Sequence, residues 1–268
     1  IIILLQGGFT IPKKKKYVPP PPAKEPSEYD QIVNNMMSPD DTFRFSCSMC
    51  GNCCRNRREP IIITGLDVFC LAKGLGIPPV EVIQQYMRPK MGHSSHLPMF
   101  LLKERPDGSC KFLRNGACMV HSFKPIVCAV FPLGQAIDSR DGNIMYFRQP
   151  VAERCGGKDG RVWTLKEWIE SCGLNQLDQE SVSWSRISTI AALGLQKVRP
   201  EQLIDGKILL FLMEVMFVDY DPKKDFVSQV ANHIEKIKEM FWEGYHKLKS
   251  SGNEKNEAGR RPAFNVLI

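Results

Sequence analysis

The sequence predicts an α+β chain, on three observations. Short strand-like pieces joined by tight glycine turns occupy the middle of the chain. Helical periodicity dominates after residue 160. Between them lies a set of clustered cysteines suited to holding short strands together through a metal.

The chain has 268 residues, of which 43% are hydrophobic and 24% charged, enough to build a core without covalent cross-links. Its 10 cysteines are too few for a small disulfide scaffold, and their clustering favours metal binding over a disulfide framework. The net charge of +7 is modest; the lysine run 13–16 reads as a solvated linker, and no nucleic-acid partner is expected.

Residues 1–40 read as an extended arm. Pro19 to Pro22 favour a stiff polyproline II spacer, and Pro12, Pro26 and Pro39 continue the pattern. The apolar start Ile1-Ile2-Ile3-Leu4-Leu5 is far short of the ~20 residues that span a bilayer. Its lysines follow the apolar run, whereas in a signal peptide they precede it. The expected location is cytoplasmic, peripheral to a membrane complex at most, with the arm as the element that engages protein partners.

Residues 41–160 read as a cysteine-bearing domain. The β-branched run Ile61-Ile62-Ile63 leads into a helix starting at Thr64, with Asp67 in the capping-box position and a stop at Gly74 or Gly76. A second helix starts at Pro78 or Pro79, with Val82, Ile83 and Tyr86 on its apolar face. Strands are expected over 97–104, 110–113, 117–121, 129–137 and 143–150. The turns between them are Asp107-Gly108, Asn115-Gly116 and Asp141-Gly142. Residues 161–249 read as helical. Thr164-x-x-Glu167 forms a capping box, and further helices cover 177–196, 200–218 and 223–249. In the last helix Phe226, Val230, Ile234, Ile237 and Phe241 recur at helical spacing. The Met-containing stretch 208–218 is expected to pack internally. The tail 250–268 reads as loose, with 264–268 able to dock.

The chemistry concentrates in the octapeptide Cys47-Ser-Met-Cys50-Gly-Asn-Cys53-Cys54, followed by Cys110, Cys118, Cys128 and Cys155. A C-x2-C spacing lets one tight turn aim two sulfurs at one soft cation, and Gly51 supplies the backbone freedom such a turn needs. Arg55, Arg57 and Arg58 would offset the charge of several thiolates. Iron–sulfur clusters and zinc both accept four thiolates. The wide, unequal spacings favour a 4Fe–4S cluster wrapped by several loops, with zinc as the alternative. Whether the eight cysteines form one site or two stays open. Cys70 and Cys172 fall outside the pattern and read as small buried hydrophobes. His121 stands in C-x2-H spacing from Cys118 but is expected to pack beside a turn. His93 and His96 read as exposed loop residues, and His233 and His246 as surface or boundary residues of the last helix.

The spacing Cys47-x2-Cys50-x2-Cys53-Cys54 resembles that of the YkgJ-type cysteine-cluster family, described as carrying a zinc- or iron-chelating CxxCxxCC domain. The second block, from Cys110 through Cys118 and Pro125 to Cys128 and Pro132, is similar too, as is Cys155-Gly-Gly. Lys124 and Ala129 stand where arginine is common in the family, which removes any role for a guanidinium there. The resemblance implies Cys47, Cys50, Cys53, Cys54, Cys110, Cys118, Cys128 and Cys155 as candidate ligands. One branch of the family includes the S-adenosylmethionine-dependent flagellin lysine methylase. The chain itself shows no glycine-rich nucleotide loop, no nucleophile elbow and no CxxxCxxC. The expected role leans away from an enzyme, with redox or methyl transfer as the chemistry if it is one, and toward a 4Fe–4S electron-transfer or accessory subunit of a larger assembly. The alternatives are a structural zinc-binding interaction module and a methyltransferase.

Overall fold

The structure, a computed structural model, describes residues 28–47, 51–55, 60–93, 95–149, 160–198, 206–242 and 264–267. In these the chain is α+β, with short strands in small antiparallel sheets and a helical C-terminal region.

The chain opens with α1 (Glu28–Asn34) and β1 (Thr42–Arg44). Ile32 of α1 is buried against Ala136 and Phe147, and Met36 bridges to Phe147. The expected arm therefore does not extend to residue 40: its last dozen residues carry apolar side chains that dock on the fold. The arm reading of residues 1–27 lies outside the described residues.

Next come β2 (Ile62–Ile63), α2 (Gly65–Leu75) and α3 (Pro79–Tyr86). The capping box is present as expected: Thr64 Oγ1 accepts from the Asp67 N–H, and the Asp67 carboxylate accepts from the Thr64 N–H at 2.8 Å. α2 stops at Gly76, whose left-handed φ of 69° closes the last turn on Ala72. β3 (Met87–Met91) and β4 (Pro98–Leu102) then complete a sheet of order β2-β4-β3. β3 had no strand signature, because Arg88, Pro89 and Lys90 break any apolar alternation. It forms as an edge strand, where a proline is tolerated.

β5 (Leu113–Arg114) and β6 (Ala117–Cys118) pair across Asn115-Gly116, both with positive φ, as a two-residue hairpin turn demands. The expected strand over 110–113 shrinks to an isolated bridge between Cys110 and Glu104 before β5 begins. The segment 129–137, expected as one strand, divides into α4 (Ile126–Val130) and β7 (Leu133–Asp138). Ile126, Ala129 and Val130 are buried at i, i+3 and i+4, a helical face hidden in a β-branched run. β7 pairs with β8 (Ile144–Arg148), and the C-terminal strand β10 (Phe264–Leu267) pairs with its other edge.

β9 (Val162–Thr164) leads into α5 (Leu165–Ser171), capped by the expected Thr164–Glu167 box. β1 and β9 pair in antiparallel register, Thr42 opposite Thr164, so the expected division at residue 160 runs between two partnered strands. α6 (Asp178–Leu195), α7 (Lys207–Met213) with its π-turn Glu214–Val218, and α8 (Phe226–Trp242) complete the helical part. The stretch 208–218 packs internally as expected, with Leu212, Val215, Met216 and Phe217 buried. Phe217 meets Phe100 of β4 and Trp184 of α6 edge-on, at 4.9 and 5.2 Å between ring centres. One hydrophobic cluster thus runs from Met37 to Ile237, through the sheets and the helices alike.

His233 departs from the surface reading. It is 4% exposed on the inner side of α8, with Nε2 3.2 Å from Asp219 and its ring edge-on to Tyr220. It occupies the apolar face between Val230 and Ile237, which is where i+3 from Val230 falls. No helix among the described residues is long and apolar enough to cross a membrane.

Candidate metal centre

The octapeptide ends in a 3-10 turn, Asn52–Cys54, entered through Gly51 at φ 72°. The left-handed conformation there favours glycine, and the Arg55 guanidinium folds over the space where a Cβ would sit. The turn sets the Cys53 and Cys54 sulfurs 3.9 Å apart. The Cys54 carbonyl accepts the Cys110 N–H at 2.7 Å, so two segments 56 residues apart in sequence are joined at the cysteines themselves.

Cys110 is placed by the turn before it. Gly108 takes a positive φ, the Asp107 carboxylate accepts from the Ser109 N–H and hydroxyl, and Glu104 bridges to Cys110. Cys118 stands opposite Leu113 in the β5–β6 hairpin. Cys53, Cys54, Cys110 and Cys118 share one electrostatic neighbourhood. The Cys54 thiol is pushed far up, first by its contact with Cys110, then by Cys53 and burial. Burial raises Cys118, with smaller contributions from Cys110 and Cys53, partly opposed by the Val120 N–H. Burial and neighbouring sulfurs thus favour the protonated thiols of Cys54 and Cys118, and a cation would reverse that preference. Cys110 is 5% exposed and Cys54 and Cys118 half-buried, so water does not screen the group fully.

The other candidates are placed differently. Cys47 leaves β1, where the Arg161 N–H donates to the Ser46 hydroxyl, and is exposed. Cys128 rides on α4 and is half-buried. Cys50 and Cys155 lie outside the described residues, as do Arg57, Arg58 and His246. Among the described residues no group of three or more His, Cys, Asp or Glu side chains is arranged to hold a metal ion. The donor chemistry nevertheless fits one. The Cys54 thiol meets Cys110 across two loops, and within the turn the 3.9 Å Cys53–Cys54 separation is close to the edge of a tetrahedron with metal–sulfur bonds of about 2.3 Å, roughly 3.8 Å.

Three side chains hold α4, the carrier of Cys128. Asp67 Oδ1 accepts the Ile126 N–H at 2.8 Å, Trp168 Nε1 donates to the Val130 carbonyl at 3.0 Å, and Cys172 Sγ donates to the Ala129 carbonyl at 3.2 Å. Sequence reasoning assigned Asp67 only its cap and Cys172 only packing; no local pattern marks a partner 59 or 43 residues away. Cys70, half-buried on α2, has its thiol pushed up to about 12, mainly by burial. His121 is exposed on the 3-10 turn His121–Phe123, and Lys124 with partial burial lowers its pKa. His93 and His96 are exposed, as expected.

Residues 46–149 match the family model CxxCxxCC, described as "Putative zinc- or iron-chelating domain". Neither the curated proteins nor the solved structures yield a match to the chain. Residues 46–149, which carry the Cys47-x2-Cys50-x2-Cys53-Cys54 motif together with Cys110, Cys118 and Cys128, are thus the part of the chain that is similar to the CxxCxxCC zinc- or iron-chelating domains.

Proposed function

We propose that this domain holds a thiolate-bound metal ion, zinc or mononuclear iron, that joins the 51–55 turn to the 104–118 segment and makes the domain a structural interaction module. Cys53, Cys54, Cys110 and Cys118 would be its principal ligands. Cys50 could replace or supplement one of them, and Cys47, Cys128 and Cys155 are candidates for a second centre. The observation that carries this reading is the 3.9 Å separation of the Cys53 and Cys54 sulfurs. In a 4Fe–4S cluster each thiolate binds a different iron at a different corner, which sets the sulfurs further apart than ligands of one ion. The 4Fe–4S centre, favoured by the wide sequence spacing, is kept as the second reading. A bound ion would neutralise thiolates that otherwise repel, so its binding free energy would add to that of folding.

The 4Fe–4S reading keeps one argument: eight thiolates exceed what one ion needs. A cluster at the second set would suit an electron-transfer or accessory subunit. Protein partners engaged through the N-terminal arm belong to either reading.

Anaerobic purification followed by metal analysis, acid-labile sulfide assay and an absorption spectrum tests the proposal. About one zinc per chain, or one iron with no labile sulfide, is the expected result. Iron with equimolar sulfide and a broad band near ~400 nm would establish the cluster instead. A chain that folds and retains its structure with no metal at all would overturn both.

A further inference from the structure

A groove of about 610 Å³ opens between β8 and the start of α6. Its walls are apolar, with Ile144 from β8, Val182 from α6 and Val227 from the first turn of α8. Asn143, Gln179 and Ser183 add neutral polar side chains, and two further polar groups stand out. Tyr146 presents its ring and hydroxyl, and Asp178 presents the lining's one charged side chain among the described residues.

Both polar groups are set for a ligand. The Tyr146 hydroxyl is held from behind by Gln135, whose Nε2 donates to it at 3.1 Å. Gln135 is 1% exposed and its Oε1 has no partner, so this buried amide spends its one hydrogen bond on positioning the tyrosine. Among the described residues no Lys or Arg lines the groove, and the nearby Glu180 adds negative charge. Partial burial accordingly pushes the Asp178 carboxyl above its ordinary range, and burial raises Tyr146 to about 12, which keeps its hydroxyl protonated. On a chain of net charge +7, a carboxylate offset only by the N-terminus of α6, beside an aromatic ring and aliphatic walls, is a local inversion of charge.

We propose that this groove binds an alkylammonium group, its nitrogen on the Asp178 carboxylate and the Tyr146 ring and its carbon chain along Ile144, Val182 and Val227. A carboxylate supplies the charge-assisted hydrogen bond, the ring face attracts the cation, and the walls take the methylenes. An anionic ligand meets only repulsion from Asp178, and a neutral one leaves the carboxylate unpaired. The ammonium can come from a free aliphatic diamine or from a lysine side chain; the chemistry at the groove is the same. The site does not depend on the identity of the metal.

The test is a titration of the metal-replete full chain, followed by calorimetry and by amide chemical shifts. The probes are 1,5-diaminopentane, a lysine blocked at its α-amino and carboxyl groups, the same lysine acetylated at its ε-nitrogen, and 1,5-pentanediol. Binding of the diamine with shifts confined to 142–146 and 178–183 is expected, weakened about tenfold or more in Asp178→Asn and absent for the diol. The blocked lysine separates the sources. If it binds and its acetylated form does not, a side chain fits; if only the diamine binds, the ligand is a free amine. Val227→Trp, which fills the groove from α8 and leaves both polar groups intact, should abolish binding while the melting temperature stays near that of the parent. Equal binding of diamine and diol, binding unchanged in Asp178→Asn and Val227→Trp, or no binding at ~10 mM would overturn the proposal.

Discussion

Asp67 Oδ1 accepts the Ile126 N–H at 2.8 Å, so the carboxylate that caps α2 also receives the first free N–H of α4, the helix that carries Cys128. The same side chain accepts from the Thr64 N–H and hydroxyl, each at 2.8 Å, and is 3% exposed. One carboxylate thus ties the start of α2 to the middle of the cysteine domain.

Replacing Asp67 should therefore do more than weaken a helix cap. Asp67→Ala keeps the Thr64 cap but removes the carboxylate's half of the capping box, a hydrogen bond worth ~1 kcal/mol, and leaves the buried Ile126 N–H without a partner, a further 1–3 kcal/mol or so. A loss of about 2–4 kcal/mol in urea unfolding is expected, with Asp67→Asn milder because its amide oxygen still accepts one bond. A loss under ~0.5 kcal/mol in Asp67→Ala would show that the tie to α4 carries no weight.

The cysteines separate into groups by expected consequence. Cys53→Ser, Cys110→Ser and Cys50→Ser should each lose bound metal and lower the stability of 46–149, because the ion's binding free energy is part of the folding free energy. Cys70→Ala should keep full metal content, since this thiol sits on α2 and burial holds it protonated. Metal-to-protein ratios across the four variants check this; undiminished metal in both Cys53→Ser and Cys110→Ser would exclude the site proposed here.

His233 gives the fold a pH dependence with a defined sign. Burial is the largest influence and lowers its pKa below the ordinary 6.5, Lys236 acts the same way, and Asp219 partly opposes both. The folded state therefore favours the neutral ring. Its contribution to stability is fully present above about pH 6.5 and is lost as the pH falls through the depressed folded value, with a slope of at most ~1.4 kcal/mol per pH unit. The Asp219 carboxyl is itself depressed, chiefly by Lys236, and titrates lower still. Melting temperatures at pH 7.5 and 5.5 should fall for the parent and fall much less for His233→Gln; parallel curves for the two would remove the histidine as the cause.

Gly65, the first residue of α2, meets the Met216 carbonyl and the Trp184 ring where a Cβ would project. Neither neighbour is a flexible side-chain end. Gly65→Ala should cost about 1–3 kcal/mol, the usual range for overpacking a tight core contact. Gly108→Ala adds its methyl to open space and tests only the strain of a positive φ, so a smaller loss is expected there. Chemical denaturation of both variants gives the comparison.

What the sequence determined by itself was local or periodic. Thr64-x-x-Asp67 and Thr164-x-x-Glu167 start helices because a side chain and a backbone three residues away suffice to close the box. The turns at Gly108, Gly116 and Gly142 follow from glycine's access to positive φ, and the apolar spacing from Phe226 to Ile237 defines a buried face. The thiolate motif was legible for the same reason: a short spacing aims sulfurs without help from the rest of the chain. The tertiary structure decided what depends on distant partners. It made Ile126–Val130 a helix by burying one face of a run that locally reads as strand. It turned His233 inward toward Asp219, joined β1 to β9 across 120 residues, and gave Asp67 and Cys172 their hold on α4. It also set Cys54 against Cys110 through the backbone bond between them, which no spacing between the two cysteines encodes. Local pattern specifies the ligand type, whereas packing of separate segments specifies which ligands meet.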